Sequence, residues 1–427
     1  MLVFRTAAAV MLAVGCVIPR ADAAEALQTL TLDQAFARTL ESHPDLRQLP
    51  VRRAIVAAEA ELAAHRPPLV VGASLENALG SGDYSAFDGA ELSLTLASVF
   101  EPAAKRAARV GAAESRLELL DVETEGRRLD LLSEVVHRYL DIAAAQAETE
   151  AALASVEQRR IALAAARRRF AAGASPESVA LSAAAAVARA ELDVERLRED
   201  GRVFRRRLAL LWGGADPDFD RVDGTLHSVP RVPDFAELAA VLARTPELRR
   251  FASEARVREA RLRLAQAQSR PDIDWEVGVR RLQQSDDWAL LGGVSMPLGT
   301  RARAQPAIRA AQAELDLLGL ERESGEQALY ATLAEAHGRL RVGALTAQRL
   351  ADEVLPALER AERAAGEAYR AGALSYLEWA QLQAELLAAQ RERIAALRDA
   401  HVALIEIQRL TAEPFVLPAR ASEESVR

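Results

Sequence analysis

A chain of 427 residues with a net charge of −8, no long basic run and one cysteine lacks the clustered Lys/Arg face of a nucleic-acid binder and cannot rest on a disulfide framework. Half of its residues are hydrophobic, yet only 4% are aromatic, and alanine dominates the apolar set. Alanine is the strongest helix former and lets helices approach closely, so the composition favours long, tightly packed helices.

The N-terminus reads as an export signal. Arg5 supplies the charge, Ala7–Ile18 the apolar stretch, and Ala21-Asp22-Ala23 a small-x-small cleavage site, giving a signal peptide over 1–23. The competing reading is a lipoprotein cut before Cys16, because Leu12-Ala13-Val14-Gly15-Cys16 resembles a lipobox. Beyond this point no run of about 18 apolar residues occurs, so a membrane role has to come through strands.

A first structural repeat is expected over 30–214. Leu32, Ala35, Phe36, Thr39 and Leu40 form a helical face, interrupted at Pro44, and Pro67-Pro68 stops the next helix. Alternation of Leu69, Val71, Ala73 and Leu75, then of Leu92, Leu94 and Leu96, predicts a β-hairpin over about 67–98, each strand roughly 10 residues, the length a tilted barrel strand needs to cross a bilayer. Pro102 to about Ala172 contains no proline and predicts a helix on the order of 100 Å long. Gly173, followed by Pro176, marks a tight reversal into an antiparallel helix. Residues 215–233, rich in proline and aspartate, are expected to be a linker running along the outside.

The second repeat, 234–412, restates the first. A hairpin is predicted over about 271–298, from the alternation of Ile273, Trp275, Val277 and Val279 and the returning run Trp288–Pro297. Trp275 and Trp288 are placed as membrane-interface aromatics. Ala307 to Leu355 is free of proline, and Gly372 followed by Ser375 marks the second reversal. Leu382, Leu386, Ala389, Arg393, Ala396, Ala400, Ala403, Ile407 and Leu410 step by three and four as a coiled-coil seam. Residues 413–427 form a C-terminal tail. His43-Pro44-Asp45-Leu46 returns as Thr245-Pro246-Glu247-Leu248, Arg66-Pro67 as Arg270-Pro271, and Phe170-Ala171-Ala172-Gly173-Ala174 as Tyr369-Arg370-Ala371-Gly372-Ala373; the offsets of 202, 204 and 199 residues describe one duplication.

In its order of helix, hairpin and long helical hairpin, twice over, and in these motifs, the chain resembles the outer membrane factors of tripartite efflux systems, the TolC family. Glu101-Pro102-Ala103-Ala104-Lys105-Arg106 is similar to the stretch after the second strand in its heavy-metal, CzcC-like branch, with Ala103-Ala104 replacing a Gly-Gly pair. The resemblance implies a mainly α fold with a small β part: duplicated long-helix hairpins forming a periplasmic α-barrel, and four strands per protomer contributed to a 12-stranded outer-membrane β-barrel of a homotrimer. The physics fits that account, since four strands cannot close a barrel alone and open edges are not tolerated in lipid. It implies passive export, with a periplasmic membrane-fusion adaptor and an inner-membrane RND pump as partners and outer membrane lipid around the strands. By position it places Glu378, Gln381 and Val179, with Glu177 close by, at the periplasmic aperture. Phe170, Gly173, Ala174 and Ser175 with Tyr369, Arg370, Gly372, Ala373 and Leu374 fall at adaptor-docking tips. Leu374 stands where some relatives carry an arginine latch.

His43, His65, His137, His227, His337 and His401 show no helical ligand spacing, and no zinc, phosphate-loop or Ser-His-Asp pattern occurs. No metal site, cofactor, nucleic-acid partner or enzymatic activity is therefore expected. Heavy-metal cations are the cargo this reading favours. An exporter of drugs or small organic molecules with the same architecture, and a soluble periplasmic coiled-coil adaptor or scaffold, are the alternatives.

Overall fold

The computed structural model describes residues 29–224, 226 and 228–415. The expected signal peptide, with Cys16, and residues 416–427 of the expected tail lie outside the described residues. In chain order, β1 (Thr29–Leu30), α1 (Leu32–Ser42) and α2 (Pro44–Ala64) lead to β2 (Val70–Glu76) and β3 (Glu91–Phe100). A long hairpin of α3 (Ala103–Ala171) and α4 (Glu177–Ala209) follows, then β4 (Arg221–Val222) and α5 (Phe235–Val241). The second series comprises α6 (Pro246–Ala267), β5 (Ile273–Leu282), β6 (Asp287–Ser295), α7 (Thr300–Arg349), α8 (Leu355–Ala371) and α9 (Tyr376–Thr411).

Local chemistry sets these boundaries. Thr31 and Gln34 cap α1 reciprocally as a capping box. His43 is extended, as a residue before proline must be, and its Nδ1 accepts from the Asp45 amide at 3.2 Å, starting α2 at Pro44. Thr245, likewise extended before Pro246, starts α6 without a side-chain cap. α3 runs for 69 residues, about 100 Å. Its counterpart continues from Thr300 to Ala371 through Pro306 and a five-residue π-helical segment, Leu350–Val354, just before Pro356. The wider turn accommodates a residue that has no N–H and crowds the carbonyl four positions back.

The helices form one layer. Near the sheet the order is α2, α3, α6, α7; toward the far tips it is α4, α3, α9 and then α7 and α8. α9 lies between two neighbours and buries two stripes. Ala400, Ala403, Ile407 and Leu410 pack with Leu333, Ala336 and Leu340 of α7, while Ile394, Leu397 and Ile405 join Val135, Val136, Tyr139 and Leu140 of α3.

The stretch between the repeats does not simply run along the outside. β4 pairs in parallel with β1, and Phe219, Val222 and Leu226 are buried in the core around α3. The Tyr139 hydroxyl bridges the carbonyls of Leu30 and Asp223, and burial raises its pKa. Spaced apolar side chains within a polar, proline-rich segment tie the two repeats together at mid-height.

Candidate channel wall and docking tips

The four long strands form one antiparallel sheet in the order β2-β3-β5-β6, so the hairpins of the two repeats join through β3 and β5. Register sorts the side chains into two unlike faces. One carries Val71, Leu96 and Val277; Ala73, Leu94, Val279 and Leu290; then Leu75, Leu92, Arg281 and Trp288 in successive rows. It holds no carboxylate, and its large side chains are exposed, Leu94 at 53% and Leu290 at 87%. The other face carries Glu76, Glu91, Asp274, Glu276, Arg280 and Asp287. There the Arg280 guanidinium meets Glu91 at 2.6 Å and Glu76 at 3.2 Å and donates to Ser93 Oγ at 2.9 Å.

The polar face is also the crowded one. Ser93 is buried, and a Cβ at Gly278 would lie 2.6 Å from the Leu94 carbonyl and 2.8 Å from Thr95 Cγ2. Glycine at such a position lets a sheet bend tightly, so the sheet curves around its polar side. Trp275 and Trp288 share the apolar face at opposite ends of the β5–β6 hairpin, opposite Val294 and Arg281 respectively. The six-residue step from Trp275 to Arg281 is about 20 Å, close to the height of an apolar membrane band between aromatic girdles. β2 and β6 each have one partner among the described residues, leaving both outer edges open.

At the far end of the rod the two reversals share one geometry. Gly173 (φ 68°) and Gly372 (φ 87°) adopt the left-handed conformation, and the amides of Ala174 and Ala373 reach back to the carbonyls of Arg169 and Ala368, each at 2.9 Å. This is the Schellman arrangement that glycine permits. The surroundings differ. Phe170 is 44% exposed, whereas its counterpart Tyr369 is 2% exposed and packs on Tyr376 and Trp379. Trp379 Nε1 donates to Glu362 at 3.0 Å. Arg169 crosses from the first repeat to the second, donating to the Tyr369 carbonyl at 2.6 Å with its guanidinium carbon 4.9 Å from the ring centroid. Arg169, Trp379 and Glu362 belong to no motif of the sequence. Trp379, on an otherwise alanine-rich stripe, was the available signal.

Ala174, Ser175, Arg370 and Ala373 lie on or beside the reversals, with Leu374 packed against the Tyr369 cluster. Glu177 and Val179 stand in the first turn of α4; Glu378 and Gln381 begin α9. The Glu378 carboxylate folds back on its own helix, accepting from the Ser375 amide at 3.0 Å and hydroxyl at 2.7 Å, and these bonds lower its pKa. Gln381 donates to Glu385 at 3.1 Å. No helix among the described residues is long and apolar enough to cross a membrane, and none of their His, Cys, Asp and Glu side chains form a group of three or more suited to a metal ion.

Residues 36–214 match the family described as "Outer membrane efflux protein". Over 306 residues the chain is 28% identical to the cobalt-zinc-cadmium resistance protein CzcC of Cupriavidus metallidurans, an alignment covering 72% of this chain and 73% of that protein. Over its first half the chain is similar to the outer membrane efflux proteins. Its fold is that of solved relatives: CusC aligns with a TM-score of 0.76 at 16% identity, covering 90% of this chain and 92% of that one, and VceC of Vibrio cholerae with 0.72 at 18%, covering 90% and 97%. These matches agree with the passive, non-enzymatic role and the outer-membrane seat with a periplasmic extension expected from the sequence.

Proposed function

We propose that three copies of this chain close into one channel-tunnel, a 12-stranded barrel continued by an α-barrel, which exports heavy-metal cations received from an inner-membrane RND pump through a periplasmic adaptor. The observation that carries the reading is the sheet: apolar outside, polar inside, curved, and open at both edges. Open edges and an exposed apolar face are satisfied together only by closure in lipid. The metal cargo rests on the likeness to a relative named for cobalt, zinc and cadmium resistance and on Lys105-Arg106 in the CzcC-like stretch. The reversals at Gly173 and Gly372 supply small, exposed surfaces for the adaptor. Glu378, Gln381, Glu177 and Val179 border the periplasmic aperture, where threefold symmetry would convert single carboxylates into rings that favour cations.

The test is membrane fractionation followed by mass determination of the detergent-extracted protein, then metal sensitivity of a strain lacking it. A trimer in the outer membrane and a strain sensitised to divalent metals are expected. A soluble monomer or dimer would overturn the conduit. A normal metal response combined with new sensitivity to organic toxicants would overturn the cargo alone.

A further inference from the structure

The helix-side ends of all four barrel strands carry arginine. Arg66 precedes β2, Arg106 follows β3, Arg270 precedes β5, and Arg301 and Arg303 follow β6. Each lies within a few residues of an apolar side chain at the strand end: Leu69, Phe100, Ile273 and Leu298, of which Leu69, Phe100 and Leu298 are 65%, 63% and 85% exposed. Arg66, Arg270, Arg301 and Arg303 are exposed and Arg106 is half-buried. No side chain of the five enters an ion pair or hydrogen bond among the described residues, whereas Arg109, Arg280 and Arg281 around the same sheet are paired with carboxylates. Nearby carboxylates are already used: Asp272 holds Lys105 at 2.5 Å, and Glu101 holds Arg109. The opposite rim is acidic, with Glu76, Asp88, Glu91, Asp286 and Asp287 against Arg280 and Arg281.

We propose that these five arginines form a basic girdle that binds the headgroups of anionic phospholipids, anchoring the channel at the periplasmic leaflet. The inference rests on the outer-membrane barrel reading and adds a lipid partner to it. An exposed apolar face ends on one side of the bilayer at uncompensated positive charge, so the complementary partner has an acyl body and an anionic head. Arginine suits that role: its planar fork matches phosphate oxygens, its stem lies along apolar surface, and its charge is fixed across the physiological pH range. Juxtamembrane basic residues gain affinity for anionic leaflets in this way, and the gain decays within a Debye length.

The test uses full-length protein in nanodiscs containing equal phosphatidylglycerol and phosphatidylcholine, with retained lipid counted by native mass spectrometry. The wild type is expected to retain phosphatidylglycerol preferentially. The preference should be independent of pH between 6 and 8, should weaken with salt, and should fall at least about tenfold in the combined Arg66→Gln, Arg106→Gln, Arg270→Gln, Arg301→Gln and Arg303→Gln variant. A second variant with lysine at the same five positions is expected to keep most of it. A wild type indifferent to headgroup, or an unchanged preference in the glutamine variant, would overturn the girdle. So would glutamine variants that alter ion selectivity in planar bilayers while leaving lipid retention intact, because the arginines would then face the pore. A protein that never enters the membrane fraction would instead overturn the channel reading beneath it.

Discussion

At the scale of single residues, the sheet contains two glycines whose environments are opposites. Gly278 stands on the crowded polar face, where an added methyl meets backbone at 2.6 Å; Gly292 stands on the apolar face with nothing within 4 Å. Gly278→Ala is expected to destabilise the assembled barrel by about 1–3 kcal/mol, the cost of overpacking a tight site. Gly292→Ala should be neutral or slightly stabilising, since alanine restricts the unfolded chain more than glycine does. Urea unfolding followed by loss of tryptophan fluorescence checks both. Equal effects would mean that the sheet does not curve around its polar face. This difference was not legible in the sequence: alternation places Gly278 among the polar-facing positions, but only register shows that Thr95 and the Leu94 carbonyl lie against it. Glu378 shows a similar limit. Position marked it as an acidic residue near a tip, and the sequence Ser375-Tyr376-Leu377-Glu378 spells a capping box, so the carboxylate spends its hydrogen bonds on Ser375 within the protomer.

At the scale of elements, duplication and proline spacing exposed the fold class, because a helix without proline and a strand with period-two alternation are local properties. What depends on a third partner was hidden. The heptad pattern marks one stripe of α9, yet α9 sits between α3 and α7 and buries two. The prolines and aspartates of the segment between repeats predict an external course, yet it is pinned by Tyr139 and by His401 of α9, whose Nε2 lies 3.2 Å from the Ser228 carbonyl. His401 is 1% exposed, Nδ1 has no partner, and burial holds its pKa below 6.5. A base whose folded pKa is depressed contributes stability above the unfolded value and loses it as pH falls below 6.5, when the unfolded chain takes up the proton first. Hydrogen exchange at residues 228–233, corrected for intrinsic chemistry, should therefore accelerate from pH 7.5 to pH 5.5. His401→Gln should flatten that dependence. Exchange that is equally slow at both values would show that the imidazole does not secure the segment.

At the scale of the molecule, the protomer has two lateral edges that differ. α2 buries none of its residues and exposes Val51, Ile55 and Leu62, at 60%, 56% and 71%. α7, on the other edge, exposes Leu317, Leu320, Tyr330, Val342 and Leu345. β2 and β6, at the edges of the sheet, lie in the same lateral order as α2 and α7. Unlike edges cannot pair with themselves; they make a head-to-tail contact, which yields a ring when the rotation closes. Bending of the sheet around its crowded polar face supplies that rotation. Burial of one isoleucine or leucine side chain contributes about 1.5–3 kcal/mol, and a three-membered ring repeats each contact at three interfaces. Ile55→Glu together with Leu320→Glu should therefore abolish the trimer while leaving protomer helicity unchanged, since both side chains already face solvent in the single chain. Mass determination in detergent and far-ultraviolet circular dichroism decide the matter. A trimer that survives both substitutions would place the lateral contact elsewhere and leave the two apolar stripes without a role in closure.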